Sequence, residues 1–551
     1  MNTTLPLKTL LWATLSFVAC VPAARKLTRS DQAYQRRLQA HVGYLASDSL
    51  EGRRTGTRGE MLAMHYIVEQ FRQIGLQPKS GNGFEQLFEV NEGKKATPDA
   101  YLLINGDTLR ADTDYFFFPW SAAKSIKAEP SFGLRELDMP WMVDLAEGIN
   151  DNAQNPHFDL NTYVYEQSKK AADAGATALV LYNTAPAGDK LGFNPKDKSD
   201  AVKIPVIYLR TTPAKKYFTA VDGSIRIQGR IAFVDNIRRG YNVLGYIDNH
   251  SDKTVILGAH FDHLGYGEDN NSRYTGAPAI HNGADDNASG TSLLIELARS
   301  LKQKQGQKNN YLFIAFSGEE LGLYGSKFFT EHPAVDLKQV NYMINMDMVG
   351  RLPDSSKTIT LGGYGTSPSW STVIDPRSNK GLGIRIDSSG TGPSDHSSFY
   401  RKDIPVLFYF TGLHTDYHKP SDDADKINYS GMVRILHHIE RTIFGLNNEP
   451  KLAFLKTREA QTTTTARFSV TMGIMPDYTY SGKGVRADGI SDGKPAQKAG
   501  LKAGDILLQV GEYTISSMES YMQTLGKFKK GETVKVIYQR GDKTQEVDVT
   551  F

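Results

Sequence analysis

At 551 residues the chain exceeds what one hydrophobic core can serve, since cores stop growing at roughly 250–300 residues, so several domains are expected. Hydrophobic residues at 40% and charged residues at 23% are ordinary for soluble globular protein, and a net charge of +3 without a clustered Lys/Arg stripe argues against nucleic acid as a partner. The chain has 1 cysteine, which excludes both an intrachain disulfide framework and a thiolate zinc cluster, so any metal must be held by His and carboxylate.

Lys8 precedes an apolar run, Thr9 to Ala19, which is too short to span a bilayer but suits the apolar stretch of a signal peptide. Residues 1–24 are therefore expected to direct export to the periplasm or the exterior. Two processing fates fit Ala19-Cys20-Val21-Pro22-Ala23-Ala24: cleavage near Ala23 or Ala24, giving a soluble protein, or cleavage before Cys20 with a lipid anchor on its sulfur. Phe-Val-Ala-Cys is a loose lipoprotein box, which favours the soluble form. No other run approaches 18 apolar residues, so no membrane span is expected in the mature chain.

Residues 25–84 read as largely helical, the start of the domain that residues 241–450 continue. Met64, Ile67, Val68 and Phe71 recur at helical spacing, and Gly75 is placed to end that helix. Ahead of it, Ser47 to Gly59 is Gly-rich and polar and reads as a solvated loop rather than a catalytic segment. From 85 to 240 short β-type runs alternate with turns, among them Tyr115 to Trp120, Ala178 to Tyr182 and Pro205 to Leu209, with a helix ending at Gly175. No candidate chemistry lies there.

Residues 241–450 alternate strand and helix, the pattern of a mixed, mainly parallel α/β sheet with helices on both faces. Strands are expected at Val243 to Ile247, Val255 to Ala259, Tyr311 to Phe316, Val340 to Met346 and Ile404 to Phe410. Helices are expected over Leu294 to Leu301, started by Ser289, then Leu321 to Thr330 and Met432 to Phe444. Residues 451–466 form a polar linker, and 467–551 a compact domain of a size able to fold alone.

Four apolar runs of the 241–450 region each end in metal-ligand residue types, and the ends of neighbouring strands in an α/β sheet converge on one crevice. His260 and Asp262 are two apart at a strand end, so one can ligate through imidazole while the carboxylate takes the other ring N–H. Asp286 lies in the tight turn Gly283-Ala-Asp-Asp286-Asn-Ala-Ser-Gly290, where a rigid carboxylate can bridge two cations. Glu319 and Glu320 are adjacent at the next strand end, so one can bind metal while the other faces water. Asp347 ends a further strand, and His418 supplies the remaining nitrogen.

This constellation resembles the di-zinc exopeptidases, the family of bacterial secreted leucyl aminopeptidases and glutamate carboxypeptidase II, whose fold glutaminyl cyclase and the transferrin receptor share. The resemblance covers residues of about 30–80 and 240–450. It implies two zinc ions, one on His260, Asp286 and Asp347 and the other on Asp286, Glu320 and His418. It further implies a cis peptide between Asp286 and Asn287, Glu319 as general base, and Asp262 as the buttress of His260. In the family the segment Ser394-Asp395-His396 lines the substrate pocket, so Asp395 and His396 become candidate pocket residues. His263, His281 and His414 match no ligand position and read as structural, and Asn287, although in a sequon, is expected to be buried.

Two further resemblances complete the organisation. Ala174 to Asn183 and Ile204 to Ile207 resemble a protease-associated domain, which gives 85–240 the role of an insert shaping substrate access. Ala499-Gly500-Leu-Lys-Ala-Gly504-Asp505 resembles a PDZ domain strongly, implying an extended peptide ligand at a sheet edge. The function expected is an aminopeptidase that hydrolyses N-terminal residues of peptide substrates through a metal-bridged hydroxide. A non-catalytic receptor-like protein, a glutaminyl cyclase and a carboxypeptidase are the alternatives. The last would need cations for the substrate carboxylate, and Arg351 is the one near Asp347.

Overall fold

A computed structural model describes residues 28–551 apart from 82, 131–134, 153, 156–157, 186–190, 198, 219–224, 270, 378–380, 458–469, 478–479, 481, 492 and 517. The expected signal peptide with Cys20, and part of the expected linker, lie outside the described residues. No helix among the described residues is long and apolar enough to cross a membrane.

The helix Arg29–Leu45 starts at Thr28, whose hydroxyl accepts from the Asp31 amide while Asp31 accepts from the amide of Thr28. The helix Arg58–Ile74 buries Met64, Ile67, Val68 and Phe71, as their spacing predicts. It ends at Gly75, whose φ of 81° glycine adopts without a Cβ clash.

Among the described residues the central sheet has nine strands and runs, edge to edge, Gln77–Pro78, Phe233–Ile247, Asn310–Phe316, Thr254–His260, Val340–Met346, Val406–Phe410, Thr358–Gly362 and Gly383–Ile386, with Glu85–Ala96 also paired to Phe233–Ile247. Pairings from Asn310–Phe316 across to Val406–Phe410 are parallel, while those made by Phe233–Ile247 are antiparallel, as is Thr358–Gly362 against Val406–Phe410. The sheet is therefore parallel at its centre and mixed outside it, because antiparallel neighbours need no crossover helix.

Alternate residues of the buried strands serve opposite cores. Val255, Leu257, Phe313 and Ala315 pack with Leu38, Met64, Leu294 and Ile435 on one face. Ile256, Leu312, Ile314 and Phe316 pack with Phe329 and Phe399 on the other. The parallel strands all end on one side, and the loops that follow them gather there.

Three local expectations are corrected. The helix expected from Leu321 begins at Tyr324, since Gly322 at φ 113° and Leu323 at φ 65° turn the chain and both their amides reach Glu319 O. Glu319 and Glu320 thus sit in a turn beyond the strand end rather than on the strand. Ser289 does not start its helix through its side chain, because its hydroxyl donates to Asp285 O at 2.8 Å instead.

Glu85–Ala96 and Phe233–Ile247 pair along their length in the central sheet, so both ends of the 85–240 segment run within that sheet. Between them lie two four-stranded sheets with apolar cores of their own. Beyond residue 470, Ile474–Pro476, Val485–Ile490, Ile506–Val510, Thr533–Arg540 and Lys543–Thr550 build a separate sheet over a third small core, with Ile474–Pro476 at its edge.

Candidate metal centre

The strand-end loops bring His260, Asp286, Glu319, Glu320 and Asp347 together, and His418 joins them from the segment after Val406–Phe410. Asp286 stands in the middle. Its Oδ1 is 3.4 Å from His260 Nε2, and its Oδ2 is 3.3 Å from His418 Nε2. His260 Nε2 is also 3.3 Å from Asp347 Oδ1, and His418 Nε2 is 3.3 Å from Glu320 Oε2.

These separations have a common meaning. A tetrahedron of ligands about 2.0–2.1 Å from a zinc ion has edges of about 3.3–3.4 Å. Each pairing of an imidazole nitrogen with a carboxylate oxygen has that length, so the donor set fits zinc in kind and in spacing. His260, Asp262 and Asp286 are 1%, 0% and 3% exposed, and carboxylates so enclosed are costly without cations to balance them.

The opposite ring nitrogens fix the tautomers. His418 Nδ1 donates to Asn271 O at 2.8 Å. His260 Nδ1 faces Asp262, with the main-chain oxygen at 3.2 Å nearer than Oδ1 at 3.6 Å. The Asp262 carboxylate does more than was expected of it. It accepts the Glu319 amide at 3.2 Å, the Glu320 amide at 3.4 Å and the Thr55 hydroxyl at 3.0 Å.

The other candidate ligand residues are also held by hydrogen bonds. The Asp286 amide donates to Asp422 Oδ2 at 3.0 Å, and Ser394 donates to Asp347 Oδ2 at 2.8 Å. The Asp286–Asn287 peptide is cis, and Asn287 is fully buried, bonded to Met346 O and to the amides of Gly290 and Met348.

The adjacent glutamates have unlike environments. Burial pushes the Glu319 carboxyl well above the usual carboxylate range, with His260 opposing and Glu320 and Asp347 adding to the rise. Burial acts on Glu320 in the same direction, but His418 and His263 outweigh it and hold that carboxyl at about 2.

Several placements were not legible in the sequence. His263, which matches no ligand position, brings Nδ1 to 2.7 Å from Glu320 Oε1. Tyr417 stacks on the His418 ring with centroids 3.9 Å apart. Asp395 and His396, the candidate pocket residues, are enclosed at 0% and 1% exposure, and His396 stacks on Phe408. His281 is held by Ala279 O and Ser272, and His414 lies 3.2 Å from Asp285. Arg351 is bonded to Asp416 and to Lys426 O.

The sequence pattern of peptidase family M28 matches residues 242–443, the segment that carries all six of these side chains. Residues 242–443 are thus similar to peptidase family M28. A PDZ domain pattern matches 470–551. Aminopeptidase YwaD of Bacillus subtilis is 27% identical over 48% of this chain and 56% of its own length. Leucine aminopeptidase 2 of Trichophyton rubrum is 28% identical over 45% of this chain and 48% of its own. The chain thus spans about half the length of these relatives. The solved zinc aminopeptidase BSAP from Bacillus subtilis aligns with a TM-score of 0.42 at 20% identity, over 78% of this chain and 96% of that one.

The M28 domain and the PDZ domain meet at a buried charge. Asp477, beside the PDZ edge strand, pairs with Lys327 on the helix Tyr324–Glu331 that follows the two glutamates, and also with Arg486 of its own domain. Lys527 and Lys483 of the PDZ domain lie 3.6 Å from Asp159 and 2.7 Å from Asp200.

Proposed function

We propose that the protein is an exported zinc-dependent aminopeptidase that removes N-terminal residues from peptides. The observation that carries this reading is the Asp286 carboxylate, whose two oxygens lie 3.4 Å from His260 Nε2 and 3.3 Å from His418 Nε2, the form of a bridging ligand. The relatives named as aminopeptidases support the reaction class. Export is supported by the apolar run from Thr9 to Ala19 behind Lys8.

In this reading His260, Asp286 and Asp347 hold one zinc ion and Asp286, Glu320 and His418 the other. Zinc bound there supplies a Lewis acid for the scissile carbonyl and lowers the pKa of water. The Glu319 carboxylate lies within 4.8 Å of the ligand atoms of His260 and Asp347, and in this reading it takes the proton of the attacking water and returns it to the leaving amine rather than binding metal. Asp262 orients His260 and, through the amides of Glu319 and Glu320, keeps the base and its neighbouring ligand in register. The 85–240 segment acts as a protease-associated insert at the approach to this site, and the PDZ edge strand takes an extended peptide. Arg351 is engaged by Asp416, which speaks against its use for a substrate carboxylate and so against a carboxypeptidase.

The test is hydrolysis of a panel of free and N-blocked peptides by the purified chain, before and after chelation and zinc return. Cleavage confined to free N-termini, lost on chelation and regained with zinc, is the expected result. Equal cleavage of blocked peptides sinks the aminopeptidase reading, and chelator-resistant hydrolysis sinks the zinc one.

A further inference from the structure

The polar connector Ser47 to Gly59 is not a solvated loop. Arg53 within it is 1% exposed, and its guanidinium reaches no solvent. The backbone is left-handed at Glu51, Gly52 and Arg53, with φ of 46°, 70° and 49°. A Cβ on Gly52 would stand 2.6 Å from the carbonyl oxygens of Gly265 and His281, so only glycine lets the loop press this closely. The amides of His263 and Gly265 in turn donate to Arg53 O and Gly52 O at 3.2 and 3.0 Å.

The Arg53 side chain makes bonds of one kind. Nε donates to Phe261 O at 2.7 Å, one terminal nitrogen to Leu45 O and to Asn282 O at 2.6 Å, and the other to Gly283 O at 3.0 Å. Phe261 stands between His260 and Asp262, and Gly283 opens the turn that carries Asp286. Among the described residues Arg53 forms no ion pair, yet Asp286, Asp262, Asp422 and Glu320 all lie within its field. A fully buried cation spent entirely on main-chain oxygens is unusual, since buried charges are normally paired.

We infer that Arg53 is a positioning residue of the metal centre: its planar fork spans the His260 strand end and the Asp286 turn and sets the separation of those two ligands. The inference rests on the two-zinc reading above. A guanidinium offers five donors in a rigid plane, which a lysine ammonium at the end of a flexible stem does not reproduce. Removing the fork leaves buried carbonyls without donors on both ligand loops, and each loop then relaxes independently. The same charge partly offsets the carboxylates around Asp286 before any metal arrives.

The test uses the full chain with Arg53→Lys, which keeps the charge, and Arg53→Ala, with zinc affinity read by chelator competition alongside thermal midpoint and kcat. Both variants are expected to bind zinc about 10–100-fold more weakly than the parent, the usual effect of losing a partner that orients ligands. Added guanidinium is expected to restore part of the affinity of Arg53→Ala, where sodium chloride at equal ionic strength does not. Zinc affinity of Arg53→Lys within about twofold of the parent, with only the thermal midpoint lowered, would overturn the inference by making Arg53 a purely structural residue. A parent chain that binds no zinc would overturn the metal-centre reading and this inference with it.

Discussion

The backbone amide of Glu319 donates to the Asp262 carboxylate at 3.2 Å. That bond ties the proposed general base to the residue facing His260 Nδ1, so one carboxylate would govern both the proposed metal ligand and the proposed proton acceptor. In Asp262→Asn only one oxygen remains for the Glu319 amide, the Glu320 amide and the Thr55 hydroxyl. Activity should fall about 10–100-fold with zinc content retained. Steady-state kinetics with metal analysis on the same preparation checks this, and parental kcat would remove Asp262 from the scheme.

Glu319→Gln keeps size and shape and removes the proton-accepting oxygen. The variant should retain its zinc and lose about 10²–10⁴ in kcat, the usual worth of general acid–base catalysis. Zinc lost together with activity would instead make Glu319 a ligand.

Asp286 serves both histidines, so Asp286→Ala should abolish both metal sites where Glu320→Ala spares one. Chelation should lower the thermal midpoint of the parent, and zinc should restore it. Metal held at about 100 times its dissociation constant stabilises the fold by about 2.7 kcal/mol. The midpoint of Asp286→Ala should not respond to zinc in differential scanning calorimetry.

The Asp477 side chain is fully buried between Lys327 and Arg486. Asp477→Ala removes the carboxylate that Lys327 and Arg486 share, and breaking the buried pair with Lys327 costs up to about 3–5 kcal/mol. The expected outcome is release of the PDZ domain from the M28 domain, seen as a separate low-temperature transition and faster proteolysis between residues 451 and 470. A single unshifted transition would show that the contact does not hold the domains together.

His437 links the helix Tyr429–Gly445 to the helix Arg29–Leu45, with Asp31 at 2.8 Å and Glu440 at 2.9 Å, and its ring meets Tyr34 edge-on. Glu440, which Lys304 and Ser300 also face, raises the His437 pKa, and Asp31 adds to the rise against the cost of burial. A pKa raised on folding stabilises the fold fully below the unfolded value near 6.5, and that contribution fades as pH climbs through the folded value. Asp31 and Glu440, lowered overall although burial opposes the shift, contribute above about pH 4 and lose their share as pH falls through their folded values. His437→Gln should therefore lower the thermal midpoint more at pH 5.5 than at pH 9, and an equal drop at both would sever the link.

Hydrophobic period and helix-ending glycines set much of the local structure on their own. The Met64, Ile67, Val68 and Phe71 stripe gave a helix that Gly75 ends, and Val340–Met346 is a strand with the bounds its apolar run predicts. Such features depend on residues close in the chain, where spacing and backbone preference act directly. The ligand types were legible for the same reason, since one cysteine left only imidazole and carboxylate, each standing where an apolar run stops.

What only the tertiary structure decided is how residues distant in sequence share a few ångströms. No spacing rule places Arg53 on the carbonyls of Phe261 and Gly283, brings His263 against Glu320, or sets Asp477 on Lys327, because those contacts follow from strand order and loop closure rather than local periodicity. The turn at Gly322 and Leu323, which moves Glu319 and Glu320 off the strand, is likewise set by bonds back to Glu319 O within a packed crevice. The sequence by itself determined which ligand-type side chains the chain offers, and the packing of the sheet's loops decided which of them come together.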